Sequence, residues 1–254
     1  VVFSLKMIKV KKPKAIVLDI CDIAVKTGFN EKKIMPYFRS HVKSFLEENW
    51  AKPETQEDID CIRNEPLVDG APKIPAKSAE KAEVISAVLS YVNFQEGKKL
   101  EPKGYCALKR HVIFSGYDKG LLETLVFSDV ALQIQKWRCD MQIRLFAVSK
   151  GCTEATKRFL TATNHGDLNL LIESHFGADM GPLTEKGTFE KILASIKQPP
   201  EDVLFLTKFL DEYVTAKSAN MVAVQLVCRR QAEEVKDTNV PVIRVRSLNE
   251  LQFE

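Results

Sequence analysis

Several side chains of this chain stand where chemistry on a phosphate could be done. Asp19 closes the apolar run Ala15-Ile16-Val17-Leu18, Ser149 closes Leu145-Phe146-Ala147-Val148, and Thr207 closes Val203-Leu204-Phe205-Leu206. A lone Asp at a strand end is usually a cap or turn residue, so it is the series that signals a site. In such a layout a carboxylate attacks phosphorus, and a second acid two residues on handles the leaving group. A hydroxyl and a Lys hold the phosphate. A further acid helps bind Mg²⁺, which offsets the repulsion between carboxylate and phosphate.

The elements that must position these groups follow from hydropathy. The three runs above, with Val222-Ala223-Val224-Gln225-Leu226-Val227 and Val242-Ile243-Arg244-Val245, are continuous apolar strands, the mark of a parallel sheet buried on both faces. Helical patterns separate them: Leu132, Ile134 and Trp137, then Thr153 to Thr161, then Phe189 to Ile196 before the stop at Pro199-Pro200. Alternation of this kind predicts an α/β fold with a doubly wound, mostly parallel, Rossmann-like sheet. Residues 30–125 read as helical, with Ile34, Tyr37, Phe38, Val42 and Phe45 at helix spacing and a Pro-rich turn from Asp69 to Pro75. The expected division is therefore a core domain of 1–29 and 126–254 with a helical cap of 30–125. An insertion after the first strand lies at the carboxyl end, where open α/β sheets bind ligands.

These features together resemble the haloacid dehalogenase superfamily, and within it the enolase-phosphatase (acireductone synthase) family of methionine salvage. The stretches that carry the resemblance are Ile16-Val17-Leu18-Asp19-Ile20, Pro36-Tyr37-Phe38, Leu67-Val68-Asp69-Gly70 with Ile74-Pro75-Ala76, and Gly116-Tyr117-Asp118-Lys119-Gly120. Further along, Phe127-Ser128-Asp129-Val130, Lys136-Trp137-Arg138 and Leu204-Phe205-Leu206-Thr207 continue it, in the same order and spacing.

The chain departs from the family pattern where the chemistry would lie. The first motif, Asp-Ile-Glu-Gly-Thr-Thr, reads Asp19-Ile20-Cys21-Asp22-Ile23-Ala24: the nucleophile position is retained and Cys21 replaces the acid. Ser-Ser-Gly has become Ser149-Lys150-Gly151. Gly-His-Lys aligns with Gly181-Pro182-Leu183, so Leu183 replaces the phosphate-holding Lys, and Lys208 replaces the Asp expected after Thr207. In the insertion, Glu123 falls near the place of a substrate-side Lys. Of the acids that the resemblance implies at the metal, only Asp19 remains.

Mg²⁺ demands tight octahedral oxygen ligation, so two lost acids and an added ammonium predict no useful metal binding. Lys208 is expected at the metal's place, paired with Asp19. Asp211 and Glu212 are weak surrogate ligands, Asp22 is a displaced stand-in for Cys21, and these acids otherwise cap the following helix or face solvent. Loss of single catalytic residues already costs orders of magnitude in rate.

The expected protein is thus a pseudoenzyme, a binding, structural or regulatory component with no cofactor. The alternative is an active Mg²⁺-dependent enolase-phosphatase. The expected partner is an unidentified protein or a small anionic ligand held by Lys150 and Lys208, since a strand-end loop feeding a helix N-terminus favours anions.

Composition sets the remaining bounds. The 254 residues carry 37 basic and 34 acidic side chains, net +3, too even a balance to argue for nucleic acid. The basic run Lys6, Lys9, Lys11, Lys12 and Lys14 reads as a solvated lead-in before the first strand, or as a contact for an acidic partner. No apolar stretch reaches membrane-span length, and residues 1–10 are too short and charged for a signal peptide. Six cysteines without a CxxC pair suggest reduced thiols; Cys21 and Cys152 read as neighbouring buried thiols in preference to a redox pair. His41, His111, His165 and His175 show no ligand spacing, His175 is expected to pack beside Phe176, and Trp50 and Trp137 are expected in the core. The resemblance implies a cytoplasmic protein, with the nucleus as a further compartment, that is often monomeric.

Overall fold

The central element of the computed structural model is β2 (Ala15–Asp19), whose five residues are all buried. The structure describes residues 7–66, 68–227 and 241–254, with the side chains of Cys21 and Asp22 outside that description. Lys6, Leu67 and Cys228 likewise lie outside the described residues.

The chain divides into two compact units, residues 1–27 with 123–254, and residues 28–122. The larger unit opens with β1 (Ile8–Val10), β2 and the short helix α1 (Ile20–Ala24). The helical unit is built from α2 (Met35–Glu48), α3 (Pro53–Arg63), α4 (Lys81–Lys98) and α5 (Lys103–Asp118), and holds no strand among the described residues. The larger unit resumes with α6 (Ser128–Gln135), β3 (Arg144–Val148), α7 (Thr153–Thr161), β4 (Ser174–Phe176) and α8 (Lys186–Ile196). It ends with β5 (Val203–Thr207), α9 (Leu210–Ser218), β6 (Val222–Leu226), β7 (Arg244–Val245) and β8 (Leu251–Phe253).

Six strands form one sheet in the order β4-β3-β2-β5-β6-β7, every pairing parallel. The register sets Asp19 opposite Val148 and Leu18 opposite Leu206, which aligns the ends of β2, β3 and β5. Side chains alternate along a strand, and the two faces fill two separate cores. Ile16, Leu18, Leu145, Ala147, Leu204 and Leu206 pack with Trp137 and Ile134 on one face. Ala15, Val17, Phe146, Val148, Val203 and Phe205 pack with Phe189 and Ile192 on the other. The fold is α/β with a doubly wound parallel sheet, as the apolar runs predict.

Three strands escape the hydropathy reading. β1 and β8 form a separate two-stranded parallel sheet, and β4 is only three residues long. Such short segments carry too little periodicity to stand out. Part of the basic lead-in is ordered and ion-paired, with its lysine side chains still exposed. Lys9 lies in β1 and pairs with Glu254 at 2.9 Å, while Lys11 and Lys14 grip Asp202 at 2.9 and 2.7 Å. The hydrogen bond from Lys14, seconded by that from Lys11, holds the Asp202 carboxyl below its usual range.

His175 also departs from expectation. Being neighbours in β4, His175 and Phe176 face opposite ways: Phe176 joins the second core, and His175 Nε2 bonds Asn169 Oδ1 at 2.8 Å. Trp137 is buried as expected, tilted against Phe253 with ring centroids 5.6 Å apart. Trp50 is only partly buried, at the edge of the helical core with Lys81 Nζ 5.7 Å from its ring.

The helical unit packs Phe38, Val42 and Leu46 of α2 against Ile59, Val88 and Leu108. Phe38 meets Tyr105 edge-on at 5.8 Å. At Gly104 a Cβ would come within 2.7 Å of the Ile62 backbone nitrogen, so α3 and α5 approach closely because that position has no side chain.

Two measurements check these placements. Phe205→Ala, which empties a fully buried site on the central sheet, is expected to cost about 3–5 kcal/mol, read from urea unfolding monitored by circular dichroism. Burial lowers the His175 pKa, with Lys157 adding to the effect. A lowered histidine pKa means that the unfolded chain takes up the proton first. Its stabilising contribution is therefore complete above the unfolded value of about 6.5. It is lost progressively as pH falls from there through the folded value. His175→Gln is expected to flatten that part of the stability-against-pH curve.

Candidate functional site

The candidate site is assembled at the carboxyl ends of β3, β2 and β5, adjacent strands whose following loops lie side by side. The chain steps from β2 to β3 and β4 on one side, then crosses to β5 on the other, so this is the switch point at which open α/β sheets take ligands. Asp19 ends β2 and precedes α1. It is 1% exposed.

The β3 loop supplies Ser149 and Lys150. Ser149 is buried; its hydroxyl accepts from Thr156 Oγ1 of α7 at 3.0 Å, and its backbone N–H donates to Phe176 O at 3.0 Å. Its orientation is thereby fixed from a helix and from the neighbouring strand. Lys150 extends from the next position, with its Nζ 3.5 Å from the ring centroid of Phe209 and 2.8 Å from Glu212 Oε1.

The β5 loop supplies the other side. Thr207 is fully buried; its hydroxyl donates to Glu212 Oε2 at 2.5 Å and accepts from Phe209 N–H at 3.1 Å. Asp211 and Glu212 lie in the first turn of α9, where carboxylates are favoured by the helix dipole. Asp211 Oδ1 accepts from Glu212 N–H at 3.0 Å. The Lys208 backbone carbonyl accepts from Gln225 Nε2 at 3.0 Å, and Gln225 is itself held by Arg244.

Three expectations are corrected by this geometry. Among the described residues no ion pair joins Lys208 to Asp19, and the Lys208 Nζ stands 6.0 Å from the Phe209 ring centroid. The ammonium that enters a carboxylate pair is Lys150. Glu212 does not face solvent: it is 2% exposed, with one oxygen on Thr207 and the other on Lys150. Cys152 is exposed, which removes it from any pair of buried thiols. It sits just before α7 on the outward turn of the β3 loop. The backbone of Cys21 runs in α1.

Leu183 is buried and packs in the core with Phe176, Phe189 and Ile192. The position at which the resemblance implies a phosphate-holding Lys thus lies in the hydrophobic interior. Gly181, at the head of that segment, has φ +111°, and a Cβ there would come within 2.7 Å of Thr188 Oγ1. Sequence reasoning missed Phe209 and Thr156. Thr156 reaches Ser149 and Phe209 reaches Lys150 through the fold, and neither carries a motif signal.

Among the described residues the donor set does not fit Mg²⁺. Such an ion needs several hard oxygen ligands in a tight octahedron. Asp19 is the one acid kept at the positions that the resemblance implies, Lys208 brings a cation to another, and both oxygens of Glu212 are engaged. Among the described residues no three His, Cys, Asp or Glu side chains come together as a metal-holding group.

No family model matches the chain. The enolase-phosphatase E1 of Sulfurihydrogenibium sp. is 29% identical over 240 residues, covering 94% of this chain and 98% of that protein. This likeness over nearly the whole chain supports an enolase-phosphatase family member. The Xenopus tropicalis enolase-phosphatase E1 is 27% identical over 244 residues, covering 94% of each chain. Among solved structures, the UTR4 protein of Saccharomyces cerevisiae shares the fold with a TM-score of 0.72 at 18% identity, over 93% of this chain and 98% of that one.

Within this enolase-phosphatase fold, Leu183→Lys would reinstate the residue that the family pattern implies. It is expected to destabilise the protein by about 2–4 kcal/mol, since it buries an unpaired ammonium among aromatic and aliphatic side chains. The check is a lowered midpoint in urea relative to Leu183→Met.

Proposed function

We propose that this enolase-phosphatase-family chain has lost metal-dependent phosphatase turnover and serves as a binding, structural or regulatory protein. The observation that carries the reading is the capture of the buried Glu212 carboxylate by Lys150 and Thr207. With Lys208 following β5 and Cys21 two residues after Asp19, the site has exchanged acids for cations and a thiol. An Asp19 carboxylate approaching a phosphate dianion there would lack the charge offset that a divalent ion supplies. The partner is an unidentified protein or a small anion, the latter favoured by the half-exposed Lys150 and by Lys208.

A second reading is an active Mg²⁺-dependent enolase-phosphatase of methionine salvage. The names of the relatives favour it, because proteins 27–29% identical over nearly the whole chain are called enolase-phosphatase E1. Retention of Asp19 and of the Ser149 hydroxyl favours it too. The relatives' names support this second reading more directly than the first, and the chain's own donor set supports the first.

Mg²⁺-dependent hydrolysis of the family's phosphorylated enol substrate separates the two. The unmodified chain is expected to release phosphate no faster in Mg²⁺ than in chelator. A Cys21→Glu, Lys208→Asp double variant run beside it locates the loss if it gains turnover. Metal-dependent release by the unmodified chain would overturn the first reading in favour of the second.

A further inference from the structure

We infer that the Lys150 ammonium is an internal cation standing in for a divalent ion as the counter-charge of the β5 loop. The inference deepens the reading of a site unsuited to Mg²⁺ and rests on it. β3 and β5 flank β2 on either side, so the loops that follow them bracket the end of the strand that carries Asp19. A site that gathers carboxylates at such a place needs a positive charge to hold them. Burying an unpaired carboxylate is costly, and removing one partner of a buried pair costs more than the pair itself contributes.

Lys150 meets that need from within the chain. Its Nζ is 2.8 Å from Glu212 Oε1 and lies against the face of Phe209, where ring electrons favour a cation. The acceptor is built for it: Glu212 is 2% exposed, Thr207 Oγ1 fixes its second oxygen at 2.5 Å, and the same Thr207 oxygen receives the Phe209 N–H. Ring, carboxylate and hydroxyl thus form one seat, occupied by an ammonium on a tether. A divalent ion would have to displace that ammonium to reach Glu212.

The test uses the full chain and Mn²⁺ alone as the probe, with free Mn²⁺ followed by electron paramagnetic resonance and unfolding followed by temperature. The unmodified chain and Lys150→Arg are expected to bind no Mn²⁺ at millimolar concentration and to show no Mn²⁺-dependent change in Tm. Lys150→Ser is expected to lose about 4–8 °C in Tm and to recover part of it in Mn²⁺, with matching uptake of the ion. Lys150→Ser with Glu212→Gln is expected to regain stability and lose the Mn²⁺ response, because the buried charge is gone.

If Lys150→Ser is unfolded in buffer, Mn²⁺ should restore its fold, and failure to do so overturns the inference. So does Mn²⁺ uptake by the unmodified chain equal to that of Lys150→Ser, or a Lys150→Ser protein indifferent to the ion. The two readings fail distinguishably: Mg²⁺-dependent turnover by the unmodified chain sinks the functional reading and this inference with it, and Mn²⁺ uptake by the unmodified chain without turnover sinks this one alone.

Discussion

The strand Ala15–Asp19 is hydrogen-bonded to β3 on one side and β5 on the other, and the larger unit has no other way to bring its site residues together. Parallel pairing of three buried strands aligns their carboxyl ends. The loops that leave those ends must then run side by side, whatever residues they hold. Alternation along each strand divides the side chains between two cores, and the helices cover both. The position of Asp19 is therefore a consequence of apolar burial at the residues before it.

On that scaffold the electrostatics of the site are set by a few buried and half-exposed side chains. Leu183 strengthens the core at a place where the family pattern implies a charged side chain. Glu212 is kept buried at the head of α9, compensated by the helix dipole, by Thr207 and by Lys150.

Much of the fold was legible because the central strands are continuous apolar runs, each closed by a polar residue. Ala15–Leu18, Leu145–Val148 and Val203–Leu206 could be read directly, and Asp19, Ser149 and Thr207 with them. The short strands at 8–10, 174–176 and 251–253 could not, because three residues carry no usable period and their pairing is contributed by distant chain. Lys9, Lys11 and Lys14 look like a tail in sequence and prove to be ion-paired, for their partners Asp202 and Glu254 lie far along the chain.

The sequence by itself determined the parallel sheet, the likeness to the enolase-phosphatase family and the residue types that close each central strand. Only the tertiary structure decided which cation meets which acid. Lys208 adjoins the site in sequence and was the natural partner for Asp19, yet Lys150, 62 positions before Glu212, makes the ion pair. The reason is physical: a side chain's partner is set by the alignment of strand ends and the direction in which each loop leaves the sheet. Both depend on hydrogen bonding between segments that the linear order keeps apart.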